Sequence, residues 1–134
     1  MAVKKVNTDT LAKPHGFAHA MVASGSKIIT TTGQISADLD GQIVGQGDHR
    51  TQSYLATLNA FKALTATGAA ATDVTRMMVY VVDATQENLE KVYEGLGKGV
   101  GEAGGKSTAM TLVGITGLAN PDALIEIDLT AVVD

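Results

Sequence analysis

The sequence predicts a single α+β domain in which a mixed β-sheet carries two helices on one face. Three observations point to this. Two segments with few helix breakers, 49–66 and 85–96, place apolar residues at helical spacing, and strand-like runs follow each of them. The last of those runs, Leu124–Val132, alternates apolar and polar residues, as a strand buried on one side does. The chain has 134 residues, 45% of them hydrophobic, which suits one core and the usual size of one domain.

Taken in order, Ile28-Ile29-Thr30-Thr31-Thr32 is β-branched throughout and reads as a strand, within residues 26–36, that enters a turn at Gly33-Gln34-Ile35. Asp40-Gly41 is a hairpin-turn dipeptide, and a short strand at Gln42–Val44 is expected after it. Asp48 suits the N-cap of the first helix and Gly68 its C-terminal stop. Tyr54, Leu58 and Phe61, at i, i+4 and i+7, form its expected apolar stripe with Leu55 and Leu64. Val74–Val82 reads as a buried strand. Thr85 caps a second helix, whose face is Leu89, Val92, Tyr93 and Leu96.

Gly95, Gly97, Gly99, Gly101, Gly104 and Gly105 follow closely. Each costs a helix about 1 kcal/mol relative to alanine, so this stretch reads as a frayed helix end running into a flexible loop. Strand character resumes at Thr108–Val113, and Asn120-Pro121-Asp122 marks the turn before the last strand. There Ile125, Ile127, Leu129 and Ala131 share one face, and Glu126, Asp128 and Thr130 the other. With no internal repeat or linker, residues 1–134 read as one domain.

Composition narrows the function. The net charge is −4, from ten basic and fourteen acidic residues, and no basic run exceeds Lys4-Lys5. Aromatic residues make up 4% of the chain and Trp is absent, so the basic stripe and stacking platforms of a nucleic-acid binder are missing. Without cysteine there can be no disulfide, thiolate nucleophile or Cys-based zinc site. No window offers the roughly 20 apolar residues of a membrane span, and the polar N-terminus lacks the apolar stretch of a signal peptide. A cytoplasmic protein without membrane or nucleic-acid partners is expected. A domain this small buries only about two-thirds of its unfolded surface, and self-assembly would bury more.

Few constellations could carry chemistry. Gly104-Gly105-Lys106-Ser107 invites a phosphate-loop reading, but the pattern needs a glycine where Val100 stands. The context is also inverted, since a helix precedes and a strand follows. His15 and His19 are four apart, which on a helix could ligate a metal, but Pro14 and Gly16 make them loop residues. No metal is expected. Glu126 is different: it sits mid-strand on the face turned from the core. There it is either a solvated carboxylate or, if a neighbouring subunit covers that face, a general base that holds a water.

Several segments together carry a family resemblance: Pro14–Ala20, Thr32-Gly33-Gln34-Ile35, Leu58-Asn59-Ala60-Phe61-Lys62, Asp73-Val74 leading to Val79-Tyr80-Val81, Lys106-Ser107, and Leu124-Ile125-Glu126-Ile127-Asp128. In their order and spacing the chain resembles the Rid (YjgF) family of reactive imine and enamine deaminases, from about Pro14 to Val133. The resemblance implies a chorismate-mutase-like fold, a homotrimer with ligand clefts between subunits, and hydrolysis of 2-imino or 2-enamino acids to keto acids and ammonia without metal or organic cofactor. It places Glu126 as the residue that positions water, Gly33 as a backbone contact, and Ser107 and Thr108 beside the bound anion. Lys106 stands where the family has a carboxylate-binding arginine, and Phe17 where it has a tyrosine. A lysine offers a point charge in place of a planar fork, and phenylalanine cannot donate a hydroxyl hydrogen bond. Extra length between Val113 and Leu124 reshapes the cleft rim. The chain thus resembles a divergent member. Its rival reading is a non-catalytic trimer of the same fold that binds a small metabolite.

Overall fold

The structure, a computed structural model, describes residues 3–134; Met1 and Ala2, where the polar N-terminal segment begins, lie outside the described residues. The chain runs β1 (Val3–Val6), β2 (Ala20–Ala23), β3 (Lys27–Thr30), α1 (His49–Thr65), β4 (Val74–Val82), α2 (Gln86–Glu102), β5 (Ala109–Ile115) and β6 (Ile125–Val133), with a 3-10 turn at Ala71–Asp73. The strands β3-β6-β4-β5 form a mixed four-stranded sheet in which only β4 and β5 are parallel. β1 and β2 pair separately, a ribbon not expected from the sequence.

Alternation along β6 decides which face is covered. Ile125, Ile127, Leu129 and Ala131 are fully buried and join Met77, Val79 and Val81 of β4 under the helices. The opposite face holds Glu126, Asp128 and Thr130 beside Met78 and Tyr80, and among the described residues neither helix packs on it.

Caps behave as expected. Asp48 accepts a hydrogen bond from the Thr51 amide at 3.1 Å, and Thr85 accepts one from the Asn88 amide at 3.2 Å. The face that α1 buries matches the expected stripe only at Phe61 and Leu64. Gln52, Ser53, Ala56, Thr57, Ala60, Phe61 and Leu64 are buried, whereas Tyr54, Leu55 and Leu58 are half-exposed. Small and polar side chains are tolerated there because each polar one is satisfied. Gln52 donates to the carbonyls of Gly45 and Asp122 and accepts from the Leu124 amide; Ser53 donates to the Val92 carbonyl, and Thr57 to that of Ser53.

The glycine-rich stretch is also not a frayed end. α2 continues through Glu102, because Gly95 and Gly99 lie on one face and let α1 approach closely. A Cβ at Gly95 would lie 2.5 Å from the Arg50 carbonyl oxygen, and one at Gly99 would lie 2.7 Å from Thr57 Cβ. Gly104, at φ +78°, then ends the helix. Its amide bonds the Gly101 carbonyl and that of Gly105 bonds Val100, a Schellman stop. The expected strand at Gln42–Val44 reduces to one bridge, Ala37 with Ile43, around the Asp40-Gly41 turn.

Candidate functional site

The Schellman stop aims Lys106-Ser107-Thr108 into β5, so Gly104 and Gly105 end a helix, the reverse of the strand-to-helix order of a phosphate loop. Thr108 is buried, and its hydroxyl donates to the Val74 carbonyl at 3.3 Å, fixing this segment at the start of β4. The Ala18 amide donates to the Thr108 carbonyl at 3.0 Å, which brings the Pro14–Ala18 loop, and with it Phe17, beside Lys106. From β1, Lys5 Nζ donates to Ser107 Oγ at 2.7 Å.

These segments and α2 enclose a cavity of about 640 Å³. Phe17, Lys106, Ser107 and Thr108 line it, as do Met77, Met110, Leu96, Val100 and Tyr93. Met77 and Met110 pair across β4 and β5 and belong to the helix side of the sheet. Tyr93 and Leu96, which share a helix face, are a partial signal for this wall in the sequence; the two methionines and Lys5 carry none.

Glu126 and Gly33 form a second group. The loop after β3 keeps pairing with β6, since Gln34 and Ile127 exchange backbone hydrogen bonds of 2.8 and 2.9 Å. This lays Gly33 against the Glu126 side chain, where an added Cβ would meet Oε2 at 2.5 Å. Tyr80 is the direct cross-strand neighbour of Glu126, and Asp128 flanks it. The Asp128 carboxylate raises the pKa of the Tyr80 phenol above its ordinary value, with desolvation and the Glu126 charge adding to the effect.

One chain does not unite the two groups. Ala109 pairs with Arg76 and Glu126 with Tyr80, four residues further along β4, or about 13 Å at roughly 3.3 Å per residue. Lys106 lies three residues before Ala109, and its cavity opens on the helix side, whereas Glu126 points from the opposite side. A small substrate could touch both only if a second copy supplied one of them.

Of the histidines, His15 lies at the cavity rim. His19 is structural: Nδ1 accepts from the Thr8 amide at 3.1 Å, and Nε2 lies 2.8 Å from the Ala12 carbonyl oxygen. Buried His49 has Nε2 2.9 Å from the Val82 carbonyl oxygen. Among the described residues no cluster of three or more potential metal ligands occurs, and no helix is long and apolar enough to cross a membrane.

A small α+β domain with helices on one sheet face and a partly polar face on the other defines a recognisable class. The family model described as endoribonuclease L-PSP matches residues 8–133, and the chain belongs to that family, the YjgF or Rid family. A Rid-family protein of unknown function, YyfB from Yersinia pestis, is similar over 99% of this chain and 100% of its own, with 30% identity and a TM-score of 0.88. The structure of TdcF from E. coli with bound serine matches over 98% of this chain and 99% of its own, at 21% identity and a TM-score of 0.70. YjgF from E. coli matches over 96% and 98%, at 21% identity and a TM-score of 0.69. Comparison with the curated proteins gives no match. The chorismate-mutase-like α+β expectation is therefore met, and family membership supports a small-molecule-processing role.

Proposed function

We propose that the chain hydrolyses a reactive 2-imino acid to a 2-keto acid and ammonia, in a cleft shared by two copies of a homotrimer. The observation that carries this reading is the contact of Gly33 with Glu126 on the sheet face opposite the helices. A carboxylate held this way, half-buried and without an ion-pair partner among the described residues, is suited to orient a water. Lys106 of one copy holds the substrate carboxylate, aided by the segment at Ser107 and Thr108 and flanked by Phe17. Glu126 of the next copy takes a proton from water as the water oxygen bonds to the C=N carbon, and passing that proton to the nitrogen gives a neutral carbinolamine. Glu126 then carries the carbinolamine hydroxyl proton to the amino nitrogen as the C–N bond breaks, so that ammonia leaves, the C=O bond forms and the carboxylate is restored. The bound serine in the structure of TdcF, a protein of similar fold, supports an amino-acid-like ligand.

The test is to generate 2-iminopropanoate and larger imines in situ and follow keto-acid formation. Wild type should exceed spontaneous hydrolysis. Glu126→Ala and Lys106→Ala should lose that excess, while Lys106→Arg should retain it. No excess over the spontaneous rate for any imino acid defeats the proposal.

A further inference from the structure

The Lys106 cavity is far more apolar than a site for a three-carbon acid requires. Met77, Leu96, Val100, Met110 and Phe17 wall it, and among the described residues no carboxylate lines it. Its charge is positive: Lys106 stands at the wall, and Lys5 is bonded to Ser107 of the same wall. The two ion pairs among the described residues, Arg50–Glu94 and Lys91–Glu87, involve neither lysine. In a chain of net charge −4, two cations without acid partners beside a carbon-lined space of about 640 Å³ mark an anion site with an apolar annex. Cavities of about 300–1,000 Å³ with few polar groups are typical small-molecule sites.

From this geometry we infer that the site takes acids with large apolar side chains, branched or aromatic, in preference to small ones. The inference rests on the proposed function for the imine chemistry, but the binding preference stands apart from catalysis. Lys106 and Lys5 face the carboxylate, while the side chain extends between α2 and β5 toward Met77 and Leu96. Each buried methylene is worth about fourfold in affinity, so three further carbons give on the order of fiftyfold.

Gly97 offers a test that separates binding from folding. It lines the cavity, lies in α2, and an added Cβ there would have nothing within 4 Å. Gly97→Leu therefore fills the annex while removing a helix-weakening glycine.

Calorimetric titration with 4-methyl-2-oxopentanoate, phenylpyruvate and pyruvate reads the preference directly, and Tm is followed in parallel. The wild-type protein should bind the two apolar acids at least tenfold more tightly than pyruvate. Gly97→Leu should abolish that preference with Tm unchanged or raised, and Lys106→Gln should weaken all three acids alike. Equal affinities, no binding of any acid, or an intact preference in Gly97→Leu would each overturn the inference. The imine assay divides the two ideas. Selective binding without imine hydrolysis leaves this inference standing and removes the deaminase reading; hydrolysis indifferent to side-chain size does the reverse.

Discussion

Alanine at Gly95 should destabilise the protein, although alanine is the better helix former. The gain from propensity is about 1 kcal/mol. Against it, the new Cβ would lie 2.5 Å from the Arg50 carbonyl oxygen and 2.8 Å from both Ser53 Cβ and the Tyr54 amide nitrogen, whereas ordinary contact begins at 3.4 Å. Two of these atoms are backbone, so no rotamer change relieves the clash and the helices must part by close to an ångström. Overpacking of this kind costs about 1–3 kcal/mol. The shift also stretches the buried Ser53 to Val92 hydrogen bond of 2.7 Å, worth about 1 kcal/mol more. The net result is a loss of about 1–3 kcal/mol. At Gly97 and Gly101 an added Cβ meets nothing, so alanine should stabilise by up to about 1 kcal/mol. Thermal denaturation at one fixed protein concentration reads these changes, with about 3–5 °C per kcal/mol in a domain of this size. If Gly95→Ala raises Tm as Gly97→Ala does, the close crossing of α1 and α2 is wrong.

Three further outcomes follow from the same geometry. Gly33→Ala should fold normally, because the obstructing atoms belong to a movable Glu126 side chain, yet lower imine hydrolysis on the order of a hundredfold by displacing the carboxylate. Parallel Tm and kcat measurements check this, and an unchanged kcat contradicts it. Asp48→Ala should cost about 1 kcal/mol at neutral pH through loss of the α1 cap. The Thr51 hydroxyl and amide hold the Asp48 pKa below the ordinary 3.8, so the cap's pH-linked stability is complete above that value and fades as pH falls through the lowered one. Denaturant titrations should show the wild-type advantage shrinking only on that acid limb. Val113→Glu places a charge beside Tyr80 on the sheet face opposite the helices; sedimentation should show a particle of three 13.8 kDa chains for wild type and smaller species for the variant, with activity lost. A variant that stays trimeric and active contradicts a role for this face in assembly.

Much of this architecture was legible because periodicity reports burial. The alternation of Ile125, Ile127, Leu129 and Ala131 marked the core side of β6 and set Glu126 apart. Asp48 and Thr85 marked helix starts by chemistry that is local in sequence. What escaped were features fixed by the partner element. The buried face of α1 carries Gln52, Ser53 and Thr57, whose polarity is acceptable only because Gly45, Asp122, Leu124 and Val92 supply backbone partners from elsewhere. Gly95 and Gly99 looked like helix breakers, and only the approach of α1 explains them, although their spacing of four already placed them on one face. Lys106 and Glu126 could each be singled out from sequence, but their separation along β4 could not, since it depends on strand order.

Whether two copies complete each site is tested by subunit mixing. Glu126→Gln and Lys106→Gln proteins, each inactive alone, are unfolded together in equal amounts and refolded. In a ring whose sites join Lys106 of one copy to Glu126 of the next, random assembly makes about a quarter of the sites whole. Recovery of roughly that fraction of wild-type imine hydrolysis is the predicted result. If both residues of a site came from one chain, no mixed ring would contain an intact site, and continued inactivity of a verified mixture of trimers would rule out sites shared between copies.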